Sequence, residues 1–141
     1  MWQALLRPFW GMSVSETCRP RLILCTTCRN GRTGAPGEAP AGGLLHDALK
    51  ALIASQDPPA SVDLREVACL ANCERGCSAA ITMPGKWTYL LGHLHEPDAA
   101  DLLAYAAAYA ASATGTVLPS RRPAALRNMI IGRIPNLETF V

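Results

Sequence analysis

The chain has 141 residues, 50% of them hydrophobic and 17% charged, with Lys+Arg 13 against Asp+Glu 11 and a formal net charge of +2. That length buries a core without help from disulfides. The near-neutral balance, with no basic stripe and interleaved aromatics, excludes a nucleic-acid binder.

The first residues, MWQALLRPFWGM, are interrupted by Arg7 and Pro8 and closed by no small-residue cleavage site. Residues 1–19 therefore read as a loose extension rather than a signal peptide, with Met12 as an alternative start. Residues 20–113 read as the folded domain. Arg21 to Cys25, RLILC, is a short apolar run bounded by Pro20 and two threonines, and is expected to be a buried strand. Residues 29–43, RNGRTGAPGEAPAGG, are too rich in glycine and proline for helix or sheet and read as a loop serving a site.

Leu45, Ala48, Leu49, Leu52 and Ile53 recur at helical spacing, which predicts a helix over 44–56 stopped by Asp57-Pro58-Pro59. The β-branched run 62–67 predicts a second strand, and strand, crossover helix, strand makes the two strands parallel. Alternation over 79–83, a turn at 84–86 and a run over 87–91 predict an antiparallel hairpin. Trp87 and Tyr89 read as sheet-face residues. Pro97 opens a last helix, with Asp98 and Asp101 near its positive end. Residues 99–113 are alanine-rich and carry Asp101, too short and too weakly apolar to span a bilayer, so no membrane partner is expected. Residues 114–141 form a tail whose Leu126, Met129, Ile130, Ile131 and Ile134 suggest that it docks.

The chemistry lies in the cysteines. Cys25 and Cys28 close the first strand as CTTC, and Cys69, Cys73 and Cys77 follow the second as CLANCERGC. The chain is expected to be cytoplasmic, where thiols stay reduced and clustered cysteines serve metals or catalysis. Soft thiolate selects iron-sulfur clusters, zinc or copper(I). Cys25, Cys28, Cys69 and Cys73 suit a [2Fe-2S] cluster or a structural zinc. Zinc knuckles usually pair two CxxC motifs on hairpins, so CxxxCxxxC after a strand leans toward the cluster. Cys77 is the alternative to Cys28 as fourth ligand, a second-site ligand, or a small buried hydrophobe. Backbone N–H groups around Ala71, Asn72, Glu74 and Gly76 are candidate donors to the sulfurs. Gly76 marks either a turn or a close backbone approach.

Other readings are weaker. A thioredoxin-type thiol exchange at CTTC wants a helix N-terminus to lower the first pKa, and no helix follows directly. His46 reads as solvated, His93 and His95 as a solvent-facing pair at a strand end rather than ligands, and Cys18 as a free thiol. Arg29, Arg32 and Arg75 flank the cysteines and read as surface charge, or as a positive rim for an acidic partner.

The order β-α-β-β-β-α, with a thiolate at the end of the first strand and CxxxC after the second, resembles the thioredoxin-like [2Fe-2S] ferredoxins, an α/β fold with a mixed sheet. More narrowly LILCTTCR, CLANCERGCSAAITMPGKWTYLLGHL and the later GRIP resemble the DUF1636 family of small predicted metal-binding proteins, over about residues 21–136. The ferredoxin resemblance implies that Cys25, Cys69 and Cys73 match the first, third and fourth ligands. Cys28 follows the first ligand more closely than the family's usual longer loop, and Cys77 is a sulfur that pattern does not require. What the resemblance implies is a one-electron carrier, not an enzyme, working with a redox partner protein. A homodimer is the other association to consider. The alternative is an accessory protein that handles zinc or cobalt with no electron-transfer role, and a thiol-disulfide oxidoreductase stands third.

Overall fold

The computed structural model describes residues 19–29 and 37–136. The expectations for residues 1–18 with Met12 and Cys18, for Arg32 and for residues 137–141 lie outside the described residues.

Strand β1, Arg21–Cys25, forms where the apolar run placed it. Leu22 and Leu24 are buried and Ile23 is half-buried, as alternation across a sheet demands. Helix α1, Ala41–Ser55, is followed by β2, Asp63–Val67, which pairs with β1 in parallel from Arg21 against Asp63 to Cys25 against Val67. Strands β3, Ala79–Thr82, and β4, Thr88–Leu91, make the expected hairpin. Gly85 takes the turn at a φ of 76°, where a side chain would be strained. Helix α2 is Ala99–Ala111. Pro97 lies just before it in a short 3-10 turn, Glu96–Asp98, in which the His95 N–H donates to the Asp98 carboxylate at 2.8 Å.

The tail adds a strand that the sequence pattern did not announce. β5, Ile130–Ile134, pairs antiparallel with β4, and the five-stranded order is β2-β1-β3-β4-β5. Only β1 and β2 run parallel; the other neighbours are antiparallel. The fold is α/β with a mixed sheet.

One face of that sheet carries the core. Leu22 and Leu24 stand beside Ile81 and Ala79, and these beside Tyr89 and Leu91. They share one buried cluster with Leu45 and Leu49 of α1 and with Leu102, Tyr105, Ala106 and Tyr109 of α2. Both helices therefore cover the same face. The Tyr89 ring meets Tyr105 and Tyr109 edge-on, at 6.1 and 6.3 Å between centroids, each contact worth about 1 kcal/mol beyond burial. Lys86, from the hairpin turn, donates to the Ala110 carbonyl at 2.8 Å and so closes the C-terminus of α2 with a cation.

The N-terminus of α1 differs from the sequence expectation. The helix begins at Ala41 and takes in Gly42 and Gly43, which composition had assigned to the loop. The reason is a close approach: a Cβ on Gly42 would stand 2.0 Å from the Cys25 carbonyl oxygen. The Gly42 N–H meanwhile donates to the Cys28 carbonyl at 2.9 Å. These glycines permit contact with the end of β1 rather than flexibility.

Two outcomes follow from this packing. Gly→Ala in an exposed helix stabilises by about 1 kcal/mol; Gly42→Ala is expected to reverse that sign and cost about 3 kcal/mol, read by urea denaturation. Asp63 accepts from Arg21 and Arg65 Nε, both at 2.8 Å. Burial pushes its carboxyl up, but those hydrogen bonds and charges prevail and hold it below its ordinary 3.8. A depressed acid stabilises fully above its unfolded pKa and loses that contribution as pH falls through the folded value. Asp63→Asn is thus expected to lower Tm at pH 7, and the gap to the parent chain to close as pH drops below 3.8.

Candidate metal centre

The parallel pairing of β1 and β2 sets Cys25 opposite Val67, so both cysteine segments leave the sheet at the carboxyl ends of neighbouring strands. That edge is where α/β sheets build their sites. The Thr26 N–H donates to the Val67 carbonyl at 3.0 Å and the Cys25 N–H to the Ser78 carbonyl at 3.1 Å. CTTC is thereby stitched to both ends of the CLANCERGC segment. Thr27 adds a short hydroxyl bond to the Ala68 carbonyl, which the Cys25 thiol also approaches at 3.6 Å.

The second segment turns tightly. Ala71 sits at a φ of 55°, and its N–H donates to the Cys69 sulfur at 3.1 Å, so one of the four backbone donors expected near the sulfurs does reach one. Cys73 opens a 3-10 turn, Cys73–Arg75. Asn72 Nδ2 donates to Ser78 Oγ at 2.8 Å, and the Ser78 hydroxyl lies 3.4 Å from the Asn72 carbonyl, closing the loop on itself. Beyond it, Cys77 and Leu94 exchange backbone bonds of 3.3 and 3.1 Å, and the His93 N–H donates to the Arg75 carbonyl at 2.6 Å.

The five described cysteines lie in these two segments as free thiols. Cys25, Cys28 and Cys77 are buried, whereas Cys69 and Cys73 are exposed. Cys69 pushes the Cys73 thiol up most, by its charge and by a hydrogen bond; burial and the charges of Cys25 and Cys28 add to it. Burial pushes Cys77 up to about 12, with Cys28 and then Cys25 contributing. Sulfurs that raise one another in this way stay protonated thiols, and a bound cation would favour their thiolate form. Gly76 resolves in favour of close approach, since a Cβ there would stand 1.8 Å from the Cys28 sulfur.

By number and softness the donors fit a thiolate-held group, although among the described residues no three His, Cys, Asp or Glu side chains are drawn together in metal-binding geometry. The histidines stay outside the cysteine group. The His95 ring contacts the His93 carbonyl at 3.0 Å, and both residues are exposed. His46 departs from its solvated expectation: its side chain is 16% exposed, set between Asp47 and Glu66. Helical position and charge did not show that it packs between them. Arg29 and Arg75 are exposed beside the cysteines. The Asn72–Ser78 clamp and Gly42 were not singled out as parts of the site; an Asn between two cysteines was the available signal for the clamp. Among the described residues no helix is long and apolar enough to cross a membrane.

Solved structures of like shape share this fold. A thioredoxin-like [2Fe-2S] ferredoxin from Aquifex aeolicus matches with a TM-score of 0.53 at 12% identity, over 82% of this chain and 92% of that one. A crystal structure of the wild-type ferredoxin matches at 0.51 and 12%, over 81% and 97%, and a cysteine-to-serine variant at 0.52 and 11%, over 80% and 98%. At such identity the likeness establishes the thioredoxin-like ferredoxin fold. No curated protein matches the chain in sequence. The family model described as "Protein of unknown function (DUF1636)" matches residues 22–136, which takes in both cysteine segments, the hairpin, α2 and β5. The chain belongs to the DUF1636 family.

Proposed function

We propose that the chain is a small ferredoxin-like carrier of single electrons that holds a [2Fe-2S] cluster on Cys25, Cys28, Cys69 and Cys73 and works with a redox partner protein. The observation that carries the reading is that the two segments bearing these cysteines leave the sheet at the carboxyl ends of the paired strands β1 and β2, on a fold shared with [2Fe-2S] ferredoxins. A cluster so held supplies reversible one-electron chemistry. The chain's own residues do the rest. Cys25 and Cys28 are buried and form the protein side of the site, while Cys69 and Cys73 are exposed and form the side a partner reaches. The Ala71 N–H stabilises negative charge on the Cys69 sulfur. Arg29 and Arg75 offer positive charge at the rim, which favours docking of an acidic partner surface.

Cys28 is taken as the fourth ligand because its sulfur lies against Gly76, directly after the turn that Cys73 opens.

Anaerobic purification with absorbance spectroscopy and analysis for iron, acid-labile sulfide, zinc and cobalt tests the function. Brown protein with iron and sulfide in near-equal amounts is the expected result. A colourless protein with a single zinc, or one holding cobalt, overturns it in favour of a metal-handling accessory role. Cys28→Ser is expected to lose most of the iron and sulfide that the parent chain binds.

A further inference from the structure

The tail meets β4 twice and leaves a groove between its two passes. After α2 the chain returns to the start of β4, where the Trp87 N–H donates to the Thr114 carbonyl at 2.9 Å. It then comes back as β5 on the outer side of β4. The groove measures about 460 Å³ and is lined by Tyr89, by Val117, Leu118 and Arg122 from the first pass, and by Ile131 and Arg133 from the second. That volume lies in the range of small-molecule sites. Arg122 is set in place by its Nε–H, which donates to the Val117 carbonyl at 2.9 Å and leaves the two terminal NH2 groups of the guanidinium for another acceptor. The Arg133 guanidinium is held 4.3 Å from the centre of the Trp87 ring, a contact that positions the cation without neutralising it. Residues 102–137 contain no Asp or Glu, and among the described residues neither arginine pairs with a carboxylate.

Two positioned guanidiniums lining one largely apolar groove, with no acid to offset them, define the chemistry of the ligand. An arginine fork matches a carboxylate and holds it by two parallel charge-assisted hydrogen bonds. A bare inorganic anion would leave Tyr89, Val117 and Ile131 without contact, and a neutral molecule would leave both cations unpaired. We propose that this groove binds a small organic carboxylate, its charged end on Arg122 and Arg133 and its apolar body on Tyr89, Val117 and Ile131. No cysteine lines the groove, so the inference stands apart from the ferredoxin reading.

The test is isothermal titration calorimetry on the full chain as purified, with hydrocinnamate as the probe. Its neutral amide serves as the control for shape and inorganic phosphate as the control for charge. Hydrocinnamate is expected to bind at a single site, and the amide and phosphate each to bind about tenfold more weakly or less. Arg122→Gln and Arg133→Gln are each expected to weaken hydrocinnamate about tenfold, the loss of one charge-assisted pairing. Arg127→Gln removes a tail cation outside the groove and is expected to leave the affinity unchanged. Arg133 is exposed, so its variant serves if Arg122→Gln, which also gives up the bond to Val117, fails to fold. No saturable binding of hydrocinnamate overturns the inference. An amide that binds as tightly as the acid does the same, as does an Arg127→Gln chain weakened as much as Arg133→Gln. Phosphate binding as tightly as hydrocinnamate overturns it in favour of a general anion site. Polyglutamate that binds where hydrocinnamate does not overturns it in favour of docking by an acidic protein.

Discussion

The parallel pairing of β1 with β2 is the constraint on which the site depends. Two cysteine segments separated by residues 29–68 have no local reason to meet. Once Cys25 lies opposite Val67, each segment begins where its strand stops, and the backbone bonds from Thr26 to Val67 and from Cys25 to Ser78 leave little freedom in how they face one another. The pairing in turn requires the crossover through α1, which is held down by Leu45 and Leu49 in the core. The two cysteine segments are thus positioned by burial in a core that Cys25, Cys28 and Cys77 share with α1.

Glycine supplies the second constraint. Gly42 lets the start of α1 rest on the Cys25 carbonyl, Gly76 makes room for the Cys28 sulfur, and a Cβ on Gly92 would stand 2.8 Å from the Arg75 carbonyl oxygen. Each is a place where two backbones, or a backbone and a sulfur, come closer than a side chain permits. All three surround the cysteines. Close packing on the protein side buries Cys25, Cys28 and Cys77 and leaves Cys69 and Cys73 exposed.

Much of this was legible in the residues. RLILC reads as a buried strand because apolar β-formers are bounded by Pro20 and threonines, and the hairpin reads from alternation around residues 84–86. α1 reads from the helical spacing of Leu45, Leu49 and Leu52, but its first turn does not. Composition penalises Gly42 and Gly43 in a helix, and only the contact with β1 explains them. β5 was hidden for a related reason. Ile130 and Ile131 are apolar, but the run does not alternate and its register with β4 shifts between Leu90 and Leu91, so pairing with β4 and not local pattern makes it a strand.

The sequence by itself determined the supply of thiolates, their grouping into CTTC and CLANCERGC, and the strand-helix-strand unit between them, because spacing and periodicity are local properties of a chain. It left Cys28 and Cys77 as alternatives for one position, since both lie in short motifs and spacing cannot rank them. Tertiary structure alone buried both Cys28 and Cys77 while leaving Cys69 and Cys73 exposed. It did so through contacts between segments distant in sequence: the Leu94 backbone that pins Cys77, and the bare α-carbon of Gly76 against which the Cys28 sulfur rests. A residue's depth in a site depends on what packs around it, and only the folded chain brings those neighbours together.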